Sequence, residues 1–445
     1  MSIFKSISIK VVSFLEKDKF IIAGICFLII TYYSFTRYFL STDHLFQFGT
    51  VINFLNGDGF SIKYFDGEFL YYFSKNQWPY FLRILSIPFL FLTRNIETSA
   101  ICIRILSFVL LFGILKLFYK DLFMGYKEQN KAINITLLFA AFCVVPFNYG
   151  NDIDLLSAGG LILSLSLLVR YYKYKSNTLF LYLFFIIISS VSHMRYDYIP
   201  KICLFLIIIL TNEIINKKIK QNIFHKIFLS FLTIINLYWI TSQDFFTEQA
   251  TSTISEGSSV KSLESYWHVL YSPAANSFIP DHILYSFMSK ISNNLISQYY
   301  LIFVLVMVFL SFLLIIKLFF VLRQKKIFLI NYLGLFCIIN LVVLFAIYKF
   351  DSVYSQEQIQ NSSLISYSGL TVVNRYLLLF HISAFILAIY ASLKTKSLFF
   401  QTTLIFSLLF GLLHSIYLST KYSYKKSENL KLISVNEYRF LDCVK

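Results

Sequence analysis

Charged residues are scarce in this chain of 445 residues. Only 14% of the residues are Asp, Glu, Lys or Arg, whereas 57% are hydrophobic and the mean hydropathy is +0.68. A soluble domain is about half apolar and carries about a quarter of charged residues. A chain with so little charge cannot cover a water-facing surface, so its solvent must largely be lipid.

Several chemical signatures are also missing. The six cysteines show no paired spacing, and most lie in apolar segments, where cysteine behaves as a small hydrophobic residue. The sequence therefore predicts neither a disulfide framework nor a zinc site. It contains no Walker A loop, no dinucleotide fingerprint and no His-Glu-x-x-His run. The first apolar run lacks a small-residue cleavage site, which favours an uncleaved anchor over a signal peptide.

Long apolar runs predict an all-α, polytopic membrane protein of about 11 transmembrane helices, within a range of about 10 to 13, because a span needs about 20 apolar residues. The predicted spans are 20–40, 100–118, 132–148, 155–172, 178–194, 200–216, 227–243, 299–322, 327–349, 376–393 and 398–417. A further apolar stretch, 79–93, is interrupted by Pro79 and Pro88 and contains Arg83. We expect it to form an interfacial helix.

The distribution of lysine and arginine predicts a cytoplasmic amino terminus, because basic residues collect in cytoplasmic loops. With this orientation the cytoplasmic side has 21 basic residues and five acidic ones. The net charge of +16 is therefore mostly a signal of topology, and no nucleic-acid partner is expected. One feature fits poorly, since the tail after residue 417 carries six basic residues but falls outside in a chain of eleven spans.

The polar part of the chain lies on the opposite side of the membrane, mainly in the loops 41–99, 244–298 and 350–375. We expect one transmembrane helical domain over residues 1–417 that includes these loops. A short polar tail, 418–445, follows it. When most polar loops of a helical membrane protein lie on one side of the membrane, we expect its chemistry on that side.

The densest polar signal follows the first span. Asp43 and His44 precede an amphipathic stretch and the run Asn56-Gly57-Asp58-Gly59-Phe60. Asp43 is either the cap of the next helix or a carboxylate at the lipid–water boundary that acts as a general base on a hydroxyl group. His44 is a helper, a metal ligand or simply a loop residue.

This order of features resembles the first outer loop of the GT-C superfamily, membrane glycosyltransferases that use polyprenyl-phosphate-linked sugars. The segment from Gln77 to Pro88 resembles the Pro-containing interfacial helix of that loop. Three looser matches are the segment from Tyr149 to Leu156, the turn from His193 to Asp197, and Asn374-Arg375-Tyr376 at the mouth of a late span. Two features depart from the family: His44 replaces the usual second acid, and no large soluble carboxy-terminal domain follows the spans.

The resemblance implies an enzyme of the bacterial inner membrane with its active site on the outer face. It would transfer a hexosyl or pentosyl group, with inversion, from a polyprenyl-phosphate carrier to a glycan, lipid or protein acceptor, with Asp43 as the general base. Arg375 and Tyr376 would hold the phosphate, with Arg195 and Arg83 behind them. The remaining substrate-binding candidates are His44, Trp78, Asp152, Asp154 and Asp197. A divalent metal stays open, since no clear ligand set supports one.

Each candidate also has a structural interpretation. Arg375 beside Tyr376 is typical of interfacial anchoring, and Arg83 of a snorkelling side chain. Arg195 and Asp197 could form a local ion pair, Asp152 and Asp154 could be solvated loop charges, and Trp78 could belong to an aromatic belt. Two other functions remain, a polymerase of lipid-linked repeat units and a flippase or transporter of lipid-linked oligosaccharides. Spans nearly free of acids and the lack of an internal repeat argue against transport.

Overall fold

The computed structural model describes residues 19–37, 62–66, 69–73, 80–144, 153–174, 178–195, 198–215, 223–242, 328–347, 378–395 and 399–413, the last without 410–411, together with 48, 50–52, 54–55 and 57. The predicted span 299–322, the loops 244–298 and 350–375 and the tail 418–445 lie outside these residues.

Apolar helices make up most of the described chain. They are α1 (Lys19–Arg37), α2 (Tyr80–Thr93), α3 (Ile96–Leu122), α4 (Tyr126–Phe139), α5 (Ile153–Lys173), α6 (Thr178–Met194), α7 (Tyr198–Ile215), α8 (Ile223–Ser242), α9 (Phe328–Ile347), α10 (Leu378–Thr395) and α11 (Phe399–Leu409). A π-helical turn, Ala140–Val144, continues α4. Every predicted span except 299–322 overlaps one of these helices, and most ends agree within a few residues. The helix that overlaps 132–148 begins earlier, at Tyr126, and the described helix within 398–417 ends at Leu409.

Three of the described helical segments are long and apolar enough to cross a membrane: Thr98–Leu122, Asp154–Lys173 and Tyr198–Ile215. Seven shorter apolar helices accompany them. The prediction of a helical protein with membrane-spanning character is confirmed at this level.

The first predicted outer loop contains a β-hairpin, which an all-α class did not include. Strands β1 (Ile62–Asp66) and β2 (Phe69–Phe73) pair antiparallel, with Ile62 opposite Phe73 and Asp66 opposite Phe69. Two residues, Gly67 and Glu68, connect the strands. Aromatic residues on both sides of a two-residue connection that begins with glycine favour this structure over a helix.

The predicted interfacial segment 79–93 forms a helix, α2, that includes Pro88. It packs against α3 and α6 through one face, on which Leu82 and Leu90 are buried. Arg94 follows in a left-handed conformation with φ of 49°, and its backbone N–H donates to the Leu90 carbonyl at 2.9 Å. Asn95 then caps α3 by accepting from the backbone N–H of Thr98 at 2.9 Å. A tight connection of two residues therefore folds α2 back onto α3.

Helix α5 lies at the centre of the described bundle and packs against α3, α6, α9 and α10. Two adjacent glycines allow close approach on two of its sides. A methyl group on Gly159 would meet Ile114 and Leu111 of α3 at 3.3 Å, and one on Gly160 would meet Val191 of α6 at 2.6 Å. Small residues at helix contacts are the usual means by which membrane helices pack closely.

Polar side chains join helix ends at one end of the bundle, called here the lysine-rich end. The pairs and their distances are Arg170–Asp121 at 2.9 Å, Lys226–Glu213 at 2.7 Å, Lys394–Glu128 at 2.6 Å and Lys19–Asn130 at 3.3 Å. The carboxyl ends of α3 and α5 thereby meet each other. The carboxyl end of α7 meets the amino end of α8, and that of α10 meets the amino end of α4. The amino end of α1 meets that of α4.

Candidate functional site

A buried ion pair lies at the opposite end of the bundle. Asp154 stands in the first turn of α5 and is 0% exposed, while Arg195 directly follows α6 and is 6% exposed. Nη1 of Arg195 donates to Oδ1 of Asp154. The positive end of the helix dipole also favours a carboxylate in a first turn. The pair ties α5 to α6 at the mouth of the bundle.

This pair corrects the interpretation of Asp154 as a solvated loop charge. Its carboxylate is inside the protein because α5 begins one residue earlier than Asp154 and turns that side chain toward α6. The described ion pair of Arg195 also spans 41 positions, whereas the sequence predicted a partner within its own turn. That partner, Asp197, lies outside the described residues.

A lysine that the sequence analysis overlooked lies next to this pair along the chain. Lys201, in the first turn of α7, is 1% exposed, and its Nζ lies 4.4 Å from the centroid of the Tyr198 ring. The Tyr198 backbone N–H donates to the Arg195 carbonyl at 3.2 Å, so the connection between α6 and α7 is short. A cation is disfavoured in the first turn of a helix. A lysine at that position, before a long apolar run, was the signal that could have identified Lys201.

A groove of about 500 Å³ opens between α2, α6 and α8. Phe81 and Ile84 of α2 form one wall, and Leu229 and Thr233 of α8 form another. Along α6 the groove extends from Phe185 to His193, two residues before Arg195. The groove is therefore mainly apolar along its length and reaches the last turn of α6, the helix that Arg195 directly follows.

The polar end of the groove is held by a chain of hydrogen bonds. Ser192 Oγ donates to the Ser189 carbonyl at 2.6 Å, and Asn236 Nδ2 donates to Ser192 Oγ at 3.4 Å. Asn236 then presents its Oδ1 to Nε2 of His193 at 2.7 Å. Because Oδ1 only accepts, Nε2 carries the proton. The network fixes the His193 ring where it lines the groove and ties α6 to α8.

Arg83 is 1% exposed, so its guanidinium does not reach solvent, and the snorkelling interpretation is wrong. It lies between Phe81 and Ile84 in sequence, on a neighbouring face of α2. Phe81 and Ile84 line the groove with His193. Arg83, a buried cation like Arg195 and Lys201, therefore belongs to the helix that forms one wall of the groove.

Gly57, the first glycine of the run Asn56-Gly57-Asp58-Gly59-Phe60, has a conformational role. Phe48 and Val51 are buried, whereas Phe54 and Leu55 are exposed. Apolar residues therefore lie at both buried and exposed positions, and the amphipathic character of this stretch stays a prediction. Gly57 follows with φ of 90°, and its N–H donates to the Phe54 carbonyl at 3.1 Å. Glycine adopts this left-handed conformation without strain, and it commonly ends helices.

The remaining predicted site residues lie outside the described part of the chain. They are Asp43, His44, Trp78, Asp152, Asp197, Arg375 and Tyr376. Among the predicted residues that the structure describes, it brings Asp154 and Arg195 into contact. Within the same described segments, no group of three or more His, Cys, Asp or Glu side chains could hold a metal ion.

Comparisons of the chain with protein-family models, with curated proteins and with solved structures find no match. The similarity to the GT-C superfamily therefore rests only on the order of the sequence motifs.

Proposed function

We propose that this protein is a membrane glycosyltransferase that transfers a sugar from a polyprenyl-phosphate carrier to an acceptor on the outer face of a bacterial inner membrane. One observation carries the proposal: an apolar groove extends along α6 to His193, two residues from the buried Asp154–Arg195 pair. A polyprenyl-phosphate sugar has the same order of parts, an apolar chain that ends in a phosphate.

The groove suits the isoprenoid chain. Ligand pockets commonly have volumes of about 300–1,000 Å³ and are mostly apolar with a few polar groups, and this groove of about 500 Å³ lies within that range. Its walls join α2, from the first outer loop, to the helical body. A flexible chain that lies against Phe81, Ile84 and Leu229 would leave its phosphate at the His193 end.

The buried cations suit the phosphate. Arg195 and Lys201 follow the polar end of the groove in sequence, and Arg83 belongs to α2, the helix whose Phe81 and Ile84 line the groove. Guanidinium groups bind phosphate through two parallel hydrogen bonds, and fixed cations stabilise the charge that grows on a leaving group. We place Arg375 and Tyr376 in the same phosphate site, and Asp152, Asp197, Trp78 and His44 around the sugar and the acceptor.

The proposed reaction is a single displacement. The Asp43 carboxylate takes the proton of an acceptor hydroxyl group, whose oxygen forms a bond to the anomeric carbon. The bond from that carbon to the phosphate oxygen breaks on the opposite face. Polyprenyl phosphate leaves with the electron pair, and the anomeric carbon is inverted.

The proposed topology has about 11 spans of about 20 residues each, with the amino terminus and the lysine-rich end in the cytoplasm. The described ion pairs support the alternation of the helices. Each pair joins helix ends that the basic-residue pattern assigns to one side: Asp121, Glu128 and Glu213 with their partners on the cytoplasmic side, and Asp154 with Arg195 on the outer side.

The test uses purified full-length protein, a panel of polyprenyl-phosphate sugars and a mixture of candidate acceptors. Mass analysis of the extracted lipid would detect free polyprenyl phosphate. We expect release from one donor and its loss in Asp43→Asn. Asp58→Asn, which removes an acid from the same loop, should retain activity, so that a general effect of charge is separated from the role of Asp43.

Other outcomes would favour the other functions. Movement of a lipid-linked oligosaccharide across a liposome membrane without bond formation would indicate a flippase. Growth of a polymer from lipid-linked repeat units, with single polyprenyl-phosphate sugars inert, would indicate a polymerase. Full activity in Asp43→Asn would refute the assigned base.

A further inference from the structure

Two lysines approach the same phenylalanine ring where α1 and α3 meet, at the lysine-rich end. Lys19 Nζ lies 5.5 Å from the centroid of the Phe20 ring, and Lys116 Nζ lies 5.8 Å from it. The Phe20 ring also meets the Phe112 ring edge to face, with centroids 5.8 Å apart. These contacts hold α1 and α3 together and keep two positive charges in one small region.

The neighbouring hydrogen bonds orient Lys19 without neutralising it. Its Nζ donates to Tyr126 Oη at 3.0 Å and to Asn130 Oδ1 at 3.3 Å. Both acceptors are uncharged, and both belong to α4. Lys19 is buried in this niche, whereas Lys116 is exposed beside it. The region formed by Lys19, Lys116 and Phe20 is called here the lysine niche.

The carboxylates described at this end of the bundle pair with other cations. Asp121 pairs with Arg170, Glu128 with Lys394 and Glu213 with Lys226. Among the described residues, no carboxylate forms an ion pair with either lysine of the niche. Within the described residues, the niche therefore brings two cations together without a paired carboxylate, an arrangement that an anion would complement.

Exposed apolar side chains border the two ammonium groups. Phe20 is 58% exposed. Ile21, which follows Phe20 on α1, and Leu117, which follows Lys116 on α3, are also exposed. Contiguous exposed apolar surface marks a contact with lipid or protein. Cations at the edge of an apolar helix surface match the two parts of a phospholipid, an anionic headgroup and its acyl chains.

We propose that the lysine niche binds the phosphodiester headgroup of an anionic phospholipid, with the acyl chains against Phe20, Ile21 and Leu117. Basic pockets between membrane helices are known to select anionic headgroups. This site is separate from the groove and the Asp154–Arg195 pair, which lie toward the other end of the bundle. The inference does not rest on glycosyl transfer.

The test measures lipid binding to the full-length protein in detergent by native mass spectrometry. The probes are phosphatidylglycerol and phosphatidylcholine with identical acyl chains. We expect phosphatidylglycerol to bind more tightly, and Lys116→Gln to weaken that binding about fivefold, the effect of one cation near an anionic surface. Lys116→Arg should retain it. Binding of phosphatidylcholine should not change in either variant.

Lys173→Gln is the matched control, because it removes the same charge at the same end of the bundle while its Nζ lies over Tyr174, at 5.7 Å, instead of Phe20. Equal weakening by Lys116→Gln and Lys173→Gln would overturn the site in favour of a general charge effect. Equal binding of the two phospholipids would also overturn it. Competition by millimolar glycerol phosphate would show a free-phosphate site and refute the lipid assignment. The melting temperature of each variant shows whether the variant is folded.

Discussion

The Cα of Gly160 faces the side chain of Val191 so closely that a methyl group on Gly160 would lie 2.6 Å from Cγ2 of Val191. Val191 is fully buried on α6, and a β-branched side chain in a helix has essentially one rotamer. The valine therefore cannot turn away, and the close packing of α5 on α6 depends on the glycine. The same contact positions Asp154 and Arg195, since they belong to the ends of these two helices.

We expect Gly160→Ala to destabilise the protein by about 1–3 kcal/mol, the usual cost of overpacking a well-packed contact. The measurement is the melting temperature in detergent. Gly113→Ala is the control, because no atom lies within 4 Å of the added methyl group and alanine favours a helix over glycine. The double variant Gly160→Ala/Val191→Ala should recover part of the loss. Equal melting temperatures for Gly160→Ala and Gly113→Ala would contradict the packing argument.

The buried Lys226–Glu213 pair allows a second prediction. Glu213 also accepts from the Tyr172 hydroxyl group at 2.6 Å, so one carboxylate joins α5, α7 and α8. Lys226→Met should destabilise the protein by about 3–5 kcal/mol, because it leaves a buried carboxylate without its cation. The double variant Lys226→Met/Glu213→Gln should be more stable than Lys226→Met alone. If thermal unfolding ranked the double variant below Lys226→Met, the charge explanation would be wrong.

The positions of the helices could be predicted from the sequence because membrane spans have a strict length requirement. Helix α6 begins and ends at the predicted residues, Thr178 and Met194, since polar residues bound its apolar run on both sides. Helix α3 is longer than the predicted span, from Ile96 to Leu122. Its polar ends carry charges that a hydropathy criterion excludes, although the backbone hydrogen bonds continue through them.

Contacts between distant residues could not be predicted in the same way. The partner of Arg195 depends on how α5 packs against α6, and that packing depends on Gly160 rather than on any local charge pattern. The hairpin Ile62–Phe73 did carry a local signal, the Gly67-Glu68 pair between aromatic runs. A search for membrane spans overlooks it because strands of five residues are too short to affect a hydropathy window.

The Asp154–Arg195 pair gives opposite expectations for its two members if Arg195 binds the phosphate of the donor. Arg195→Gln should raise the KM for the polyprenyl-phosphate sugar about 10-fold or more, because a hydrogen bond to a charged group contributes about 1.5–3 kcal/mol. Asp154→Asn keeps a hydrogen-bond acceptor and frees the positive charge, so its KM should stay the same or fall. Steady-state kinetics with a saturating acceptor measures both. A pair with a purely structural role would instead lower the melting temperature in both variants and leave KM unchanged.

The last prediction concerns the groove, and it separates binding of the donor's isoprenoid chain from the glycosyl-transfer step. Ile84→Trp adds a bulky ring inside the groove, so it should raise the KM for a long-chain donor and affect a short-chain donor less, while kcat changes little. Leu92→Trp is the control, since Leu92 is exposed on the same helix, α2, and is not among the residues that line the groove. Kinetics with donors of two chain lengths provide the measurement. An equal effect of Ile84→Trp on both donors would mean that the isoprenoid chain lies elsewhere, because only a chain that occupies the groove can compete with the new side chain for its volume.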